Sequence, residues 1–454
     1  MKDLQQSRSK WKARSQKNKS ALREVAVVGG EKIARHKYKS EVVRLCISIY
    51  LLGSCSLRGV VRVLSYLDSS LGLLGGKIPS KSTILNWLQK CGYYVYEQID
   101  VSKYKAGYSL IVDECMVIGQ QRMLMVLLCK AQHVGSSALS YQDALVVSIA
   151  VKPSWNGADI EEVLAGVREK MGAKPSYIIC DGASNLSKGI EKNESIRLCD
   201  VGHEIARLTE KVYGKNELYT SFSTACAQCK LKEVMRPTSY LLPPKQRTIA
   251  RFMNLSTLIQ WGKKHLHLSQ HASGTLTQEE QNVFKWIENH RDIIEELDAV
   301  FTCANQILNI LKTRGLSYET VKECKEICAK FEAKNKIAIV QGSQKERWIQ
   351  KIIGYLDAEK KKLPNAETTW NASSDLIESF FGTFKARKAD NPLNGITPSV
   401  LLLPLLTQIN PAENKVNMNF KTALESVFLA DLAQWKEDNL IENQVVKRNK
   451  ILKF

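Results

Sequence analysis

The sequence predicts an α/β core with a mixed sheet, interrupted by an all-α insertion and preceded by a small helical domain. Short apolar, β-rich runs at residues 108–112 and 177–180 lead directly into Asp113 and Asp181. Such runs are typical of buried strands in mixed or parallel sheets. Between about residues 206 and 364 the strand pattern disappears and helical periodicity takes over. These observations together predict the α/β class and the place of the insertion.

Composition excludes several classes of protein. The 454 residues allow about two to four domains, and 44% hydrophobic with 24% charged residues is typical of a soluble globular protein. The apolar runs near residues 46–52 and 400–406 are shorter than the roughly 18–20 residues that cross a bilayer. Twelve scattered cysteines, several inside apolar runs, favour reduced thiols over disulfides. We therefore expect a cytoplasmic protein, nucleoid-associated if bacterial, with no membrane partner.

The charge of the chain points to a polyanionic partner. The net charge is +19 and the isoelectric point is about 9.3, which favours nucleic acid, with ribosomal and other structural proteins as alternatives. Residues 1–40 hold twelve Lys or Arg against three acidic residues and have no apolar face. We expect a mobile basic arm there, which either contacts phosphates or solubilises the chain.

Residues 41–100 predict three helices. Apolar residues recur every three or four positions from Val42 to Leu52, and Ser56 is the expected N-cap of the second helix. A Gly-rich connection at 72–76 leads to a third helix with a polar start. This arrangement resembles a helix-turn-helix, although its connection is longer than usual, and a three-helix dimerisation bundle is the alternative. The expected DNA-reading residues are Ser80, Lys81, Ser82 and Asn86, with Ile84, Trp87 and Leu88 packed inward.

Residues 105–205 predict the first part of the core. Three strands are followed by an amphipathic helix at 157–171 and by a fourth strand that leads into Asp181. A further strand near residue 197 runs into a helix that contains His203. This order places Asp113 and Asp181 at the ends of strands, where functional groups of open sheets gather.

Residues 206–365 predict the insertion. Thr277 with Glu280, and Ser343 with Glu346, are capping boxes that open helical patterns, and Gly315 is the expected C-cap of a preceding helix. Residues 279–314 are compatible with one long helix. The insertion thus separates the predicted strands from the last helix of the core.

Residues 366–410 predict that last helix, over residues 374–388, and residues 411–454 a basic helical tail. Ser374 is the expected N-cap, and Asp375 in the first turn suits the helix dipole. Glu378 and Lys385 are seven residues apart and share a face. We expect phosphate contacts from Lys385, Arg387 and Lys388. Glu378 is preferred over Asp375 as a functional carboxylate because a residue in the first turn serves more readily as a cap.

The three carboxylates of Asp113, Asp181 and Glu378 suit a site for two divalent metal ions. Mg²⁺, or Mn²⁺ in its place, prefers hard oxygen ligands, and two ions can activate an oxygen nucleophile while stabilising a departing alkoxide. Asp113 is the candidate to bridge both ions, and Asp181 and Glu378 would each complete one. Glu114 would face the other side of its strand and is given no role.

The whole pattern, over about residues 40–410, resembles the DDE transposases, whose catalytic domain has a ribonuclease H-like fold. The resemblance is carried by Asp113, Asp181 and Glu378 with their flanking residues, by the strand order and by the basic N-terminal helices. It implies an enzyme that binds terminal inverted repeats of double-stranded DNA as a homodimer or larger assembly. It further implies hydrolysis at the ends and transfer of the 3′-OH to target DNA. A transposase-derived DNA-binding protein without cleavage activity, or a ribonuclease H-like nuclease, are the alternatives.

Two shorter motifs refine the resemblance. Asp200 and His203, nineteen or more residues after Asp181, match the Cys/Asp-x-x-His motif of hAT-like transposases and relatives of the V(D)J recombinase. This implies that His203 lies near the active site, although a helix cap and a partly buried histidine explain the pair equally simply. Lys385 matches a Tyr, Arg, Glu, Lys signature of other insertion-sequence families. The Tyr and Arg of that signature fall on Asn371 and Ser374, so the chain departs from it.

Two sets of residues in the insertion carry open alternatives. A Cys-x-x-Cys pair with later histidines permits a zinc site, but free core cysteines are the simpler interpretation because the gap exceeds thirty residues. Three tryptophans could stack on unpaired bases or pack in the core, and their helical spacing favours the core. The residues concerned are Cys226, Cys229, His265, His267 and His271, the helical pair Cys324 and Cys328, and Trp261, Trp286 and Trp348.

Overall fold

The computed structural model describes residues 29–118, 121–245, 255–271, 276–334, 343–387, 395–442 and 444–452, with 12 and 252 as single positions. Its strands are β1 (Tyr108–Ile118), β2 (Gln121–Lys130), β3 (Ala144–Lys152), β4 (Tyr177–Cys180), β5 (Arg197–Cys199), β6 (Ile409–Asn410) and β7 (Lys415–Val416). Its helices are α1 (Ser40–Leu51), α2 (Leu57–Leu71), α3 (Lys81–Glu97), α4 (Gly157–Met171), α5 (Ser184–Lys192), α6 (Val201–Tyr213), α7 (Glu217–Glu233), α8 (Leu255–His271), α9 (Gln278–Phe284), α10 (Arg291–Arg314), α11 (Tyr318–Lys334), α12 (Gln344–Lys360), α13 (Asp375–Arg387), α14 (Leu402–Leu406), α15 (Phe420–Ser426), α16 (Leu429–Asn439) and α17 (Gln444–Ile451).

A five-stranded mixed sheet is the framework of the molecule, which confirms the predicted α/β class. The strand order is β3-β2-β1-β4-β5. The pairs β1–β2 and β2–β3 are antiparallel, whereas β1–β4 and β4–β5 are parallel. The central strand β1 is covered on both faces, since Ile111 packs in one hydrophobic cluster and Val112 in the other. Period-two alternation along β1 therefore decides which functional side chain faces which helical layer.

One face of the sheet is covered by α4 and α5. Helix α4 spans the predicted residues and is capped by Asn156, whose side chain accepts hydrogen bonds from two backbone N–H groups. The sequence patterns gave no indication of α5. Leu186 and Ile190 of α5 are fully buried against the sheet together with Ile160 of α4. This layer leaves the opposite face of β1 open to the helices that carry the later site residues.

The N-terminal helices pack directly on that opposite side. Ser56 caps α2 as predicted, and Ser80 caps α3; each side chain accepts from a backbone N–H three residues later. Helix α3 continues seven residues beyond the predicted end at residue 90, because its second half packs against residues near 398–406. Gly92 permits this contact, since a Cβ there would lie 1.9 Å from the carbonyl oxygen of Leu401.

The basic arm expected over residues 1–40 is described continuously from residue 29 onward, and this last part packs against the rest of the protein. Ile33 is fully buried, and the backbone N–H of Ala34 donates to the Glu425 side chain at 2.7 Å. Glu31 pairs with Lys421 at 2.8 Å. The segment therefore lies against α15, because one isoleucine reaches the core despite the polar composition around it.

The insertion consists of helices α7 to α12. The box of Thr277 and Glu280 is formed as predicted, and Gly315 caps α10 with φ of 74°. The single helix expected over residues 279–314 is wrong: α9 ends at Phe284 and α10 starts at Arg291, with a 3₁₀ turn between. The interruption needs neither Pro nor Gly, because it turns Phe284 and Ile287 into the core of the insertion.

Two findings concern the whole of the described chain. No helix in it combines the length and apolarity needed to cross a membrane. All twelve cysteines have free thiols, and ten of them are buried.

Candidate active site

Asp113 lies within β1, and Asp181 directly follows the end of the neighbouring parallel strand β4. The prediction that Asp113 ends its strand is wrong, because β1 continues to Ile118. The register pairs Ile111 with Ile179, and each aspartate follows two residues later on its own chain. Asp113 shares the face of Ile111, whereas Glu114 points to the other side and binds Arg122 at 2.7 Å and Asn185 at 2.9 Å. The predicted orientation of Glu114 is confirmed.

The local hydrogen bonds leave both aspartates partly free. The backbone N–H of Glu114 donates to Oδ1 of Asp113 at 2.7 Å, and that of Ala183 donates to Oδ1 of Asp181 at 2.9 Å. Burial raises the pKa of Asp113 to about 7, and the negative charge of Asp181 acts in the same direction. The two carboxylates thus concentrate negative charge next to each other.

Glu378 faces this pair from the first turns of α13 and is held by His203. The Nε2 atom of His203 lies 2.8 Å from Oε1 of Glu378. This hydrogen bond raises the pKa of His203 to about 9, with Asp200 and Asp181 adding to the rise and burial opposing it. The same contact lowers the pKa of Glu378. His203 is therefore a cation at neutral pH, next to the predicted carboxylates.

Asp200 ties together the two helices that carry this pair. Its Oδ1 accepts from the backbone N–H of His203 at 2.7 Å, which makes it the N-cap of α6. Its Oδ2 accepts from the backbone N–H of Ser374 at 2.5 Å and from the Ser374 hydroxyl at 3.0 Å. Asp200 is 2% exposed. Ser374 is therefore turned toward Asp200 rather than acting as the expected side-chain cap of α13.

The donor chemistry of the site fits hard divalent cations. Asp113 and Asp181 present carboxylate oxygens side by side, and their negative charges repel each other. A bound cation would offset this repulsion. In the part of the chain that the structure describes, however, no three His, Cys, Asp or Glu side chains are close enough to hold a metal ion. Glu378 is engaged by His203 instead, so the two aspartates form the preformed half of the site.

The predicted DNA-reading residues share the exposed start of α3. Ser80, Lys81, Ser82 and Asn86 are exposed, whereas Ile84, Trp87 and Leu88 are buried. The connection before this helix is fixed by Asp68, whose carboxylate accepts from the N–H groups of Leu74 and Gly76. The predicted inward and outward faces are confirmed, and base contact remains a prediction.

The basic residues predicted near the end of α13 have different surroundings. Lys385 is exposed, and its charge contributes to the lowered pKa of Glu378. Arg387 donates to the carbonyl oxygens of Tyr50 and Leu51, both at 2.9 Å, and lies over the Tyr50 ring. Arg387 thus caps the C-terminus of α1 rather than being available for a phosphate. Lys388 lies outside the described residues.

Sequence patterns missed one cation of the site. Lys312, in the last turn of α10, has its Nζ 2.5 Å from Oδ2 of Asp375. Its position near the carboxylates depends on the return of the insertion to the core at Leu316, which pairs with Trp370. The only local signal for Lys312 was its place in the last turn before the Gly315 cap, since helix ends commonly carry Lys or Arg.

The two positions that depart from the Tyr, Arg, Glu, Lys signature serve the scaffold. Asn371 is buried; its backbone N–H donates to the Tyr177 hydroxyl, and its side chain lies 2.7 Å from His133. Ser374 binds Asp200 as described above. Both residues fix the segment that leads into α13 and Glu378.

The residues considered for zinc or base stacking mostly pack in the core of the insertion. Cys226 and Cys229 are buried, and the ring of His265 bonds the Trp261 carbonyl oxygen at 2.7 Å. Trp348 is fully buried and donates to Thr209. Trp261 and Trp286 are partly buried and stack on each other, and the side chain of His271 lies outside the described residues. Core packing is the interpretation that these contacts favour.

Comparison with known proteins adds no relative to this picture. A scan against protein-family models finds no family that matches the chain, and a search of curated proteins finds no significant match. The function is therefore argued from the residues and their arrangement.

Proposed function

We propose that the chain is a DNA transposase of the DDE type, with a ribonuclease H-like catalytic core interrupted by the helical insertion. The observation that carries the proposal is the pairing of Asp113 with Asp181 on one edge of the sheet, with Glu378 of α13 close enough for its charge to act on Asp113. Asp113 and Asp181 lie side by side on β1 and the end of β4, and Glu378 faces them after the insertion. Chain order and sheet position both agree with the resemblance.

The residues divide the chemistry among them. Asp113 would contact both of two Mg²⁺ or Mn²⁺ ions, with Asp181 and Glu378 each contacting one. Bound there, the ions would supply an activated oxygen nucleophile and stabilise the departing oxygen. To join the aspartates, Glu378 must give up or share its hydrogen bond with His203. The protonated His203 would then be free to donate to a phosphate oxygen.

The overall reaction consists of two displacements at phosphorus. In the first, the oxygen of water bonds to phosphorus and the P–O3′ bond breaks, which leaves a 3′-OH and a 5′-phosphate. In the second, that 3′ oxygen bonds to a phosphorus of target DNA and a P–O3′ bond of the target breaks. The same carboxylates would serve both steps, because each step has one attacking oxygen and one departing oxygen.

Charge and exposed polar residues support DNA as the substrate. The +19 net charge attracts double-stranded DNA over long range. The exposed start of α3, with Lys81 and Asn86, suits contact with base edges in the terminal repeats. Joining two ends requires a homodimer or larger assembly. A binding-only descendant of a transposase is the second candidate, favoured by the engagement of Glu378 with His203.

Strand cleavage tests the proposal. The substrate is a DNA duplex with the sequences that flank the gene, supplied with Mg²⁺ or Mn²⁺. We expect metal-dependent nicking that disappears in Asp181→Ala while DNA binding is kept, and that persists in Glu162→Gln, a matched change at an exposed carboxylate of α4. Tight binding without nicking by the unaltered chain would favour the binding-only protein. Equal nicking by the chain and by Asp181→Ala would refute the assignment of the carboxylates.

A further inference from the structure

Lys312 brings a cation from the insertion to the candidate active site. Its ammonium group pairs with Asp375 in the first turn of α13 at 2.5 Å. It also runs past the start of α6, since a Cβ built on Gly202 would lie 3.7 Å from its Nζ. Lys312 therefore lies between the first turns of the two helices that carry His203 and Glu378.

The charge of Lys312 acts on the site itself. Together with Lys385, it contributes to the lowered pKa of Glu378. The side chain is 28% exposed, so the ammonium group is reachable from solvent. An ammonium has three donor hydrogens, and Asp375 is its one ion-pair partner among the described residues. Donors thus remain for another anion.

We propose that Lys312 is a phosphate-binding residue, which the insertion contributes to the active site and which contacts the backbone of the DNA strand bound beside Asp113 and Asp181. The inference rests on the proposed function for the class of substrate. A partly exposed ion pair contributes little to stability, so tying α10 to α13 is a weak reason for a lysine at this position. A DNA strand lying against the carboxylates brings phosphates that need a cation there.

Salt dependence of DNA binding provides the test. The probe is a fluorescein-labelled duplex of the sequence that flanks the gene, titrated without divalent metal over a series of NaCl concentrations. The slope of log K against log salt is negative, and each lost phosphate contact makes it less steep by about 0.9. We expect Lys312→Met to show that loss with several-fold weaker binding, and Lys330→Met, at an exposed lysine of α11, to resemble the unaltered chain.

Asp375→Asn separates phosphate binding from a structural role. This change breaks the ion pair but leaves the charge of Lys312, so we expect unchanged or tighter DNA binding. Equal weakening in Asp375→Asn and Lys312→Met would overturn the inference, because the pair itself would then be what matters. Lys312→Arg keeps the positive charge and should give the same salt slope as the unaltered chain. Lys312→Gln is a second uncharged variant and should behave like Lys312→Met. The thermal unfolding midpoint of each variant controls for folding.

A single neutral phosphate would locate the contact. Methylphosphonate is placed at one position after another near the gene-proximal end of the probe. We expect one position that weakens binding by the unaltered chain and has no effect on Lys312→Met. If every position acts alike on both proteins, Lys312 touches no phosphate and the inference fails alone. No binding of the probe by the unaltered chain would instead overturn the proposed function together with it.

Discussion

The Nε2 atom of His203 lies 2.8 Å from the Oε1 atom of Glu378, which joins the starts of α6 and α13 by an ion pair at the edge of the two-aspartate site. The contact has a direct consequence for chemistry. It gives Glu378 a partner and keeps His203 charged. Binding of a cation by Glu378 therefore competes with this ion pair.

The first prediction concerns the pH dependence of that pair. Because its pKa is raised from 6.5 to about 9, His203 stabilises the fold fully below 6.5 and loses this contribution as pH rises through about 9. Glu378, with a lowered pKa, contributes above 4.5 and loses its part as pH falls through the lowered value. Since both groups are partly exposed, we expect the ion pair to contribute only about 0.5–1 kcal/mol to the free energy of unfolding.

Urea unfolding of the chain and of His203→Gln measures it. The difference in unfolding free energy between the two proteins should shrink as pH rises from neutral through about 9. A difference that stays constant across this range would show that His203 is not held as a cation by Glu378.

The second prediction is that Asp113 costs the protein stability. Its pKa is raised from 3.8 to about 7, so the folded state binds more protons in that window and stability falls as pH rises through it. Asp113→Asn removes this partly buried charge. We expect the variant to be more stable by about 1–3 kcal/mol at about pH 8, with the gap closing toward about pH 4, because one pKa unit corresponds to about 1.4 kcal/mol.

Thermal and urea unfolding with and without Mg²⁺ check this cost. Mg²⁺ should stabilise the unaltered chain and leave Asp113→Asn unchanged. A variant less stable than the parent at about pH 8 would show that the carboxylate is stabilised by the protein alone.

The third prediction concerns Asp200. Asp200→Ala leaves three donors of His203 and Ser374 without their acceptor at a buried position, which should cost about 3 kcal/mol. Ser56→Ala, at an ordinary N-cap of α2, should cost about 1 kcal/mol. Urea unfolding compares them, and equal losses would mean that Asp200 is no more than a helix cap.

The fourth prediction concerns the packing of α3. Gly92→Ala would place a methyl group 1.9 Å from the Leu401 carbonyl oxygen, so we expect a loss of about 1–3 kcal/mol. Gly166→Ala, in the interior of α4 with nothing within 4 Å, should instead gain up to about 1 kcal/mol. Thermal unfolding midpoints that move in the same direction would refute the close contact.

Much of the core could be predicted because its signals are local. The strand that leads to Asp181 and helix α4 follow from short apolar runs and from periodicity, and β1 extends beyond its predicted end because both of its faces are covered. Asp113 and Asp181 could be singled out because each follows an apolar run directly.

The missing parts depend on contacts between distant segments. Lys312 reaches the site only because the insertion returns beside Trp370. From its sequence context Arg387 is a surface cation, but in the structure it binds the end of α1. Ser374 is likewise a helix cap by its context, but its hydroxyl donates to Asp200. Local patterns indicate residue types and periodicity, but they do not specify which distant segment will pack against a given residue.

Binding of Mn²⁺, followed by electron paramagnetic resonance, tests the central claim most directly. The claim is that Asp113, Asp181 and Glu378 form a divalent-metal site. We predict saturable binding by the unaltered chain and by Glu162→Gln, and at least about tenfold weaker binding by Asp113→Asn, equivalent to about 1.4 kcal/mol. Equal binding by all three proteins, or no binding by any of them, would contradict the claim.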